Sequence, residues 1–535
     1  MRWRVLAAAC TVAAVVATAE VRTRRWLERG APVSERVVVE GGTVEGVREG
    51  QVLAFRGIPF AAPPVGAARW VPPQPVQAWV GVRPAAQFGP PCPQVDDAGR
   101  VIGEEDCLHL NVWTPAAATT ASRLPVLFFI HGGGHVQGSA SVRMGDGTYL
   151  YDGARLAGAV QAVVVTAQYR LGALGFLAHP ALVAGHSLET SGNYGTLDLV
   201  AALGWVQRHI VTFGGDPRRV LVFGESAGAV ETCALLVAPL ARGLFSAALM
   251  QSGACVAASS IRAARLASDF VDASGCGGAV DLAACLRELV VPTVVTAVPA
   301  EASVVSPASG WFPHVDGVVI PAAPLALLQT GRHNRVPLVV GSNRDETSMG
   351  TVTIVTEAHY QAAVLALTGG NAVLASRILA AYPVAEYGSP RKAFTALTSD
   401  ANFICPARRV ARAAAAGQRE PVFRYFFTHP WDNASAAQRA LGAFHGIELV
   451  YVFRRLDAMG YRASPGEVAL GEFIGAAWRA LAAHGNPSPV AGPAWPEYDP
   501  VTDPFLELTT PPAPGQGVRT PQCDFWDTLS DWRDS

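Results

Sequence analysis

The sequence predicts an α/β fold in which a mostly parallel sheet carries helices on both faces. Unbroken apolar runs of strand length are typical of strands that are buried on both sides. Such runs recur at 124–130, 162–169, 219–223, 244–250 and 336–340. Helical patterns separate them, for example over 194–212 and 263–273. Because parallel strands need a crossover connection, this alternation favours a parallel sheet.

Further elements lie around this alternating core. Residues 36–47 have the pattern of an early hairpin with two central glycines, and 55–64 are extended and proline-rich. The stretch 357–444 is largely helical in pattern, and we expect it to cap the sheet near the functional site. The proline-rich composition of residues 511–515 predicts a flexible connector. No linker is long enough to divide the chain, so we expect a single domain over 36–535.

Composition indicates a globular protein with a large core. The chain has 535 residues, of which 50% are hydrophobic and 16% charged, and its formal net charge is -2. These values exclude a disordered chain. A charge so close to zero gives no reason to expect nucleic acid or an anionic membrane as a partner.

The N-terminus predicts export. Residues 1–4 carry two arginines, and residues 5–19 are apolar but short for a membrane span. An Ala-Thr-Ala sequence ends at residue 19, so we interpret 1–19 as a signal peptide and expect a secreted, luminal or periplasmic protein. Three arginines between 22 and 25 disfavour translocation. A retained membrane anchor formed by 5–19 is therefore the alternative.

Ser226 has the sequence context of a catalytic nucleophile. It is the centre of a G-x-S-x-G pattern over 224–228, with an apolar run before it and a helical pattern after it. Strand, tight turn and helix are what a nucleophile elbow requires. The two glycines let strand and helix pass closely where a Cβ would clash. The alternative is a glycine-rich turn with a solvated serine.

A glycine loop supplies candidate oxyanion donors. Three glycines over 132–134 follow the predicted strand 124–130 and expose backbone N–H groups. The amides of Gly133, Gly134 and Ala227 are candidates for a three-donor oxyanion hole. His131 and His135 are four residues apart, a zinc-binding spacing on a helix, but the intervening glycines disfavour a helix and hence a metal.

A serine nucleophile needs a base that is oriented by an acid. His445 lies late in the chain before a glycine, which suits an exposed loop, and it is only modestly favoured over His429 and His484. Asp345 and Glu346 both follow the predicted strand 336–340, at the end of the sheet where active sites lie. The residues alone leave both acids open.

From about residue 36 to its C-terminus, the chain resembles the type-B carboxylesterases, a family of α/β-hydrolase fold that includes cholinesterases and fungal lipases. Six stretches carry the resemblance, and together they are highly specific. They are 55–61, 105–112, 169–176, 193–198, 213–217 and 223–228. The resemblance implies a central, mostly parallel sheet with helices on both faces and a largely helical cap.

The resemblance also implies roles for individual residues. The acid of the family falls on Glu346, in the pattern N-[KR]-D-E, and the base on His445, in H-G-x-E. Asp345 is then a neighbour of the triad. Glu225 and Ser252 match positions that support the triad from behind.

The cysteines and one asparagine receive assignments in the same way. The resemblance implies three disulfides, which are Cys92–Cys107, Cys276–Cys285 and Cys405–Cys523. Cys233 and Cys255 are left over, and we expect buried free thiols. Cysteine usage agrees with an oxidising compartment. Asn433 begins a glycosylation sequon that has meaning only in a host that glycosylates.

The chain departs from the best-known branch of the family in three places. The loop between Cys92 and Cys107 lacks the tryptophan that binds choline in cholinesterases, which argues against acetylcholine. His135 replaces a common aromatic residue. Residues 307–311, in the region of the acyl pocket, are mostly small and suggest room for a bulky acyl group.

The sequence therefore predicts a serine carboxylic-ester hydrolase of the 3.1.1 class that works through an acyl-enzyme on Ser226. We expect a small-molecule ester as substrate, with no cofactor, no metal and no nucleic acid. The alternatives are a lipase of the same family and a non-catalytic, cholinesterase-like adhesion domain.

Overall fold

The computed structural model describes residues 30–183, 188–300, 302–306 and 310–529. The predicted leader, residues 1–19, lies outside the described residues. Among the described helices, none has both the length and the apolar character that crossing a membrane requires.

The strands of the described chain are numbered in order. They are β1 (Arg36–Val39), β2 (Gly42–Glu45), β3 (Val47–Glu49), β4 (Val52–Pro59), β5 (Val82–Pro84), β6 (Gln94–Val95), β7 (Val101–Ile102), β8 (His109–Pro115), β9 (Leu124–Ile130), β10 (Val163–Ala167), β11 (Gly215–Glu225), β12 (Ala247–Gln251), β13 (Leu338–Asn343), β14 (Val422–Phe427), β15 (Pro504–Leu508) and β16 (Ala513–Gln516).

The helices surround these strands. They are α1 (Ala154–Val160), α2 (Gly172–Phe176), α3 (Tyr194–His209), α4 (Ala227–Val237), α5 (Ser260–Ala273), α6 (Leu282–Glu288), α7 (Val291–Thr296), α8 (Pro324–Gln329), α9 (Glu357–Leu367), α10 (Ala372–Ala381), α11 (Val384–Tyr387), α12 (Pro390–Ser399), α13 (Cys405–Gly417), α14 (Ala436–Arg439), α15 (Leu449–Val452), α16 (Pro465–His484) and α17 (Thr520–Asp527). A π-helical turn, Asp400–Ile404, joins α12 to α13.

One large sheet organises the molecule. Its eleven strands have the order β16-β15-β14-β13-β12-β11-β9-β10-β8-β4-β3. In this order, the strands from β15 to β10 pair parallel with one another. The remaining pairs, towards the two edges of the sheet, are antiparallel. The predicted mostly parallel sheet is therefore confirmed. The predicted early hairpin is also present, because β1 and β2 pair antiparallel.

Strand β9 shows why its sequence is apolar throughout. Val126, Phe128 and Ile130 contribute to one buried cluster, and Leu127 and Phe129 contribute to another. Alternate side chains of a strand point to opposite faces of a sheet, so β9 is covered on both. Helices α3 and α4 pack in the first cluster, and α1 and α16 pack in the second. Helices thus cover both faces, as expected.

A third cluster lies in the predicted cap. Helices α9, α10 and α12 pack with α17 around Tyr360, Ile378, Phe394 and Trp526. The stretch 357–444 is largely helical, but it also contains β14, which is a fully buried strand between β13 and β15. The apolar and aromatic residues of β14 favour a central strand over a helix. The interpretation of 357–444 as helices and loops was incomplete at this point.

The predicted connector at 511–515 is wrong in part. Residues Ala513–Gln516 form β16, which pairs antiparallel with β15 at the edge of the sheet. An edge strand tolerates Pro514 because it needs hydrogen bonds on one side only. The proline-rich composition therefore hid a strand.

Four disulfides join the described cysteines. Three of them, Cys92–Cys107, Cys276–Cys285 and Cys405–Cys523, are the pairs that the resemblance implies. The fourth is Cys233–Cys255, which corrects the expectation of two free thiols. Helix α4 and the loop after β12 approach closely, since a Cβ on Gly253 would lie 2.5 Å from the Cβ of Ala229. This approach brings the two cysteines together.

Candidate active site

Ser226 occupies a sharp turn between β11 and α4. Its φ is +58° and its ψ is -121°, a backbone conformation that costs energy for a residue with a side chain. A Cβ on Gly224 would collide with the backbone of Gly228, and a Cβ on Gly228 would collide with the carbonyl oxygen of Ile130. The glycines of the motif therefore permit the elbow that presents Ser226.

The glycine loop after β9 lies next to this serine. A Cβ on Gly132 would be 3.0 Å from the Cβ of Ser226. Gly133 and Gly134 have φ values of +109° and +62°, which favour glycine. Among the described residues, none accepts a hydrogen bond from the amides of Gly133, Gly134 or Ala227. These donors are therefore available to a substrate oxyanion.

The two histidines of this loop face different partners. Nδ1 of His131 lies 2.9 Å from the carbonyl oxygen of Gly132, and burial lowers the pKa of His131 to about 4. His135 instead has Nε2 3.4 Å from Oε1 of Glu231. The two imidazoles therefore have different nearest polar partners.

The histidine and the glutamate that the resemblance selects are in contact. Nδ1 of His445 lies 2.6 Å from Oε2 of Glu346, which is fully buried. Oε1 of Glu346 accepts a hydrogen bond of 2.7 Å from the amide of Asn343. Asp345 faces elsewhere, because its carboxylate accepts a hydrogen bond from the amide of Ala443. Of the two acids that the sequence left open, Glu346 is the one against the imidazole.

The other ring nitrogen of His445 points at the residue before the nucleophile. Nε2 of His445 is 3.0 Å from Oε1 of Glu225. Within the described residues, Oγ of Ser226 makes no hydrogen bond with His445. Such bonds often become well aligned only when substrate binds. The imidazole of His445 therefore lies at the elbow, but its hydrogen bond to the serine is not present in the described residues.

Three buried carboxylates control the charge of this imidazole. Burial alone would lower the pKa of His445, but Glu225, Glu346 and Glu448 raise it to about 9. Burial and the charge of Glu346 raise the pKa of Glu225 to about 7, although His445 opposes this shift. Burial, Glu225 and Glu346 raise the pKa of Glu448 to about 8. The surroundings of His445 therefore favour the protonated form of its imidazole.

Glu448 belongs to this network, although the sequence alone assigned it no role. Its Oε1 accepts a hydrogen bond of 3.2 Å from Gln251, and its Oε2 accepts one of 2.6 Å from Asn343. Asn343 also donates to the carbonyl oxygen of Phe444, directly before His445. The pattern H-G-x-E contained the signal, since its last residue is Glu448. This network supports the loop that carries His445.

In the described chain, the side chain of Ser252 makes no hydrogen bond to Ser226, Glu346 or His445. Its amide donates a hydrogen bond of 2.9 Å to the carbonyl oxygen of Gly341, and its φ is +52°. Its buried Oγ has no hydrogen-bond partner within the described residues. Its supporting role stays a prediction.

A residue of the predicted cap lies against the candidate base. The ring of Phe403, in the π-helical turn before α13, lies 4.9 Å from the ring of His445 between centroids. The side chain of His445 is 13% exposed, so an aromatic residue covers the base without sealing it. The helical region that the sequence predicted as a cap thus reaches the active site.

The alternative histidines lie in other environments. Nε2 of His429 is 3.7 Å from Oε1 of Glu467, and His484 lies in the last turn of α16. In the described part of the chain, His429, Asp432 and Glu467 are the one group close enough to hold a metal ion. Oε1 of Glu467 already accepts hydrogen bonds from Tyr461 and from the amide of Asp432. Glu467 thus acts as a hydrogen-bond acceptor for its neighbours at the start of α16.

The disulfide loop between Cys92 and Cys107 borders the segment that follows the glycine loop after β9. Gln94 donates to the carbonyl oxygen of Gly138 and accepts from its amide, at 2.9 and 2.8 Å.

In the suggested acyl-pocket region, Trp311 is buried and packs edge-on against Phe270. Residues 307–309 of the suggested acyl-pocket region lie outside the described residues. The expectation of a roomy acyl pocket therefore stays a prediction.

Comparisons with known proteins show similarity over most of the chain. The model of a family described as the carboxylesterase family matches residues 33–526. A fumonisin B1 esterase from Sphingopyxis macrogoltabida is 36% identical over 478 residues, which cover 86% of this chain and 84% of that protein. A cocaine esterase from Homo sapiens is 34% identical, with 90% and 88% covered. Carboxylesterase 1D from Rattus norvegicus is 33% identical, with 89% of each covered.

Proposed function

Since the chain belongs to the carboxylesterase family and is a serine carboxylic-ester hydrolase, we propose that Ser226 is its nucleophile. Glu346 and His445 complete the catalytic triad. The amides of Gly133, Gly134 and Ala227 form the oxyanion hole. Glu225 and Ser252 support the triad from behind.

The first half of the reaction forms an acyl-enzyme. Oγ of Ser226 attacks the carbonyl carbon of the ester while Nε2 of His445 takes the hydroxyl proton. Glu346 holds the imidazole through Nδ1 and stabilises its positive charge. The three amides bind the oxyanion of the tetrahedral intermediate. The bond between carbon and alkoxy oxygen then breaks, and the alcohol leaves with the proton from His445.

The second half of the reaction hydrolyses the acyl-enzyme. Water enters, His445 takes one of its protons, and the resulting hydroxide attacks the acyl carbon. The bond to Ser226 breaks, and Oγ recovers its proton from His445. The products are a carboxylic acid and an alcohol, so the cycle balances without a cofactor.

The contact of 2.6 Å between His445 and Glu346 is the observation that carries this proposal. Ser226 directly follows Glu225, whose Oε1 lies 3.0 Å from Nε2 of the same imidazole, and this proximity supports His445 as the base for the serine. The test compares wild type with Ser226→Ala on p-nitrophenyl esters. Turnover by the alanine variant at the wild-type rate would reject Ser226 as the nucleophile.

Esterase and lipase activity differ in their response to a lipid surface. We propose that the chain acts on dissolved small-molecule esters, as the names of the fumonisin and cocaine esterases suggest for those relatives. A panel of esters that vary in acyl length and alcohol size, assayed below and above their solubility limits, tests this. Activity that rises sharply on emulsions would indicate a lipase. No turnover of any ester would favour the adhesion domain.

Export is supported by the covalent structure. Disulfides persist in oxidising compartments, and four lie in the described chain. We propose a secreted or luminal protein whose residues 36–535 form a single domain. N-terminal sequencing of exported protein would test cleavage after residue 19.

Asn433 is exposed, and its side-chain amide donates to the carbonyl oxygen of Arg462, so a glycan there replaces that contact.

A further inference from the structure

His135 is a polar side chain in an apolar environment, directly after the oxyanion glycines. It is fully buried, and the rings of Phe176 and Phe312 pack edge-on against it, with centroids 5.2 and 4.7 Å away. Neither ring nitrogen has a hydrogen-bond partner within the described residues. A buried imidazole without a partner is costly. The residue type at this position therefore needs an explanation beyond filling space.

Glu231, on the neighbouring helix, also has a buried polar atom without a hydrogen-bond partner. It is fully buried in α4, the helix that begins after Ser226. Its Oε2 accepts a hydrogen bond of 2.8 Å from Thr196, but its Oε1 has no hydrogen-bond partner in the described chain. That oxygen lies 3.4 Å from Nε2 of His135. The two unsatisfied groups face each other.

We propose that His135 and Glu231 are positioning residues that fix the two halves of the oxyanion hole relative to each other. The inference rests on the proposed function, because it concerns the donors assigned there. Gly133 and Gly134 belong to the loop that ends in His135, and Ala227 belongs to the helix that carries Glu231. The approach of 3.4 Å between Nε2 of His135 and Oε1 of Glu231 joins these two elements directly.

The backbone of the loop explains why such a link is useful. His135 has a φ of +62°, a conformation that a residue with a side chain adopts only when its surroundings hold it there. Its carbonyl oxygen accepts a hydrogen bond of 2.7 Å from Gly172, and its side chain supplies the second attachment through Glu231. Oxyanion donors are effective only when they are held in place before the charge develops. The link therefore acts on the transition state more than on substrate binding.

Other titratable groups near the pair have partners of their own. Asp198 in α3 is held by Arg170 through contacts of 2.6 and 2.8 Å. His131 is hydrogen-bonded to Gly132, and the hydroxyl of Tyr169 donates to the carbonyl oxygen of His131. Glu231 is thus the acidic partner that the structure offers to His135.

The test is a double-mutant cycle with a donor-retaining variant. His135→Phe keeps the bulk and removes the donor, Glu231→Gln removes the charge, and His135→Gln keeps an N–H donor. Each protein is assayed for kcat and KM on p-nitrophenyl acetate, for inhibition by a trifluoromethyl ketone, and for melting temperature. The ketone forms an oxyanion on the serine, so its affinity reports on the oxyanion hole.

We expect His135→Phe and Glu231→Gln each to lower kcat by 10- to 100-fold, with KM changed less than threefold and ketone affinity lowered in parallel. The double variant is expected to be no worse than either single variant, and His135→Gln to recover most of the activity. A lowered melting temperature with unchanged kcat and ketone affinity would overturn the inference, as would additive effects. Both results leave Ser226 as nucleophile, whereas full turnover by Ser226→Ala rejects the proposed function itself.

Discussion

Nδ1 of His445 and Oε2 of Glu346 lie 2.6 Å apart, although the two residues are 99 positions apart in the sequence. The contact joins the loop after β13 to the loop between α14 and α15, and both segments follow the carboxyl ends of neighbouring parallel strands. A parallel sheet places such loops together, which is how a fold of this class assembles a site from distant residues.

Glu346→Gln tests the first consequence of this contact. The amide keeps the shape of the side chain but removes the charge that stabilises the imidazolium, so kcat is expected to fall by about 10⁴-fold. Asp345→Asn is the matched control, because Asp345 faces the backbone of Ala443 instead of His445. We expect it to stay within about threefold of wild type, as surface-type changes usually do. A larger loss at Asp345 than at Glu346 would contradict the assignment.

The pH dependence of activity follows from the charge around His445. The base must be neutral to accept a proton, and buried carboxylates raise its pKa to about 9 in spite of desolvation. The value of kcat/KM should therefore rise with pH through neutrality and level off on the alkaline side.

Glu225→Gln should move this acidic limb to lower pH. The charge of Glu225 is one of the causes that raise the pKa of His445, and removing a negative charge makes the imidazolium easier to deprotonate. The measurement is the pH profile of kcat/KM for wild type and variant under the same salt. A limb that moves to higher pH, or does not move, would show that Glu225 is not the controlling charge.

The disulfide Cys233–Cys255 closes a loop with a sequence separation of 22. A loop of this size is expected to stabilise the fold by about 3 kcal/mol through the entropy of the unfolded chain. The double variant Cys233→Ala/Cys255→Ala should lower the free energy of unfolding by that amount in urea titrations. Alkylation under denaturing, non-reducing conditions should leave both residues unlabelled in wild type. Labelling of both would restore the expectation of free thiols.

Gly228→Ala tests the geometry of the elbow. The added Cβ would collide with the carbonyl oxygen of Ile130, so the strand and the helix must separate. We expect at least about a 100-fold loss of kcat/KM, since displacing catalytic groups by about 1 Å has effects of this size. Gly278→Ala is the control, because nothing lies within 4 Å of the added Cβ. Wild-type activity in Gly228→Ala would show that close passage is not required.

Much of the fold could be predicted because its signals are local. The apolar strands and the serine between glycines follow from short stretches of sequence, as β9 and β11 illustrate. Strand β16 was missed because prolines usually break strands, and only its position at the sheet edge makes them acceptable.

What the sequence could not provide are contacts made by the folded chain. The pairing of Cys233 with Cys255 depends on the close approach at Gly253. Asp345 and Glu346 are adjacent and give the same local signal, so the residues alone left both open and the family resemblance favoured Glu346. His135 and Glu231 are 96 positions apart, and only the packing of the glycine loop against α4 places them together.

The most direct test of the account is covalent labelling of Ser226. Native protein is incubated with an organophosphate such as diisopropyl fluorophosphate, and the adduct is located by peptide mass spectrometry while esterase activity is followed. We predict one adduct per chain, located on Ser226, that forms at the same rate as activity is lost. Complete inactivation with the adduct on another residue, or full esterase activity with Ser226 quantitatively labelled, would contradict the central claim.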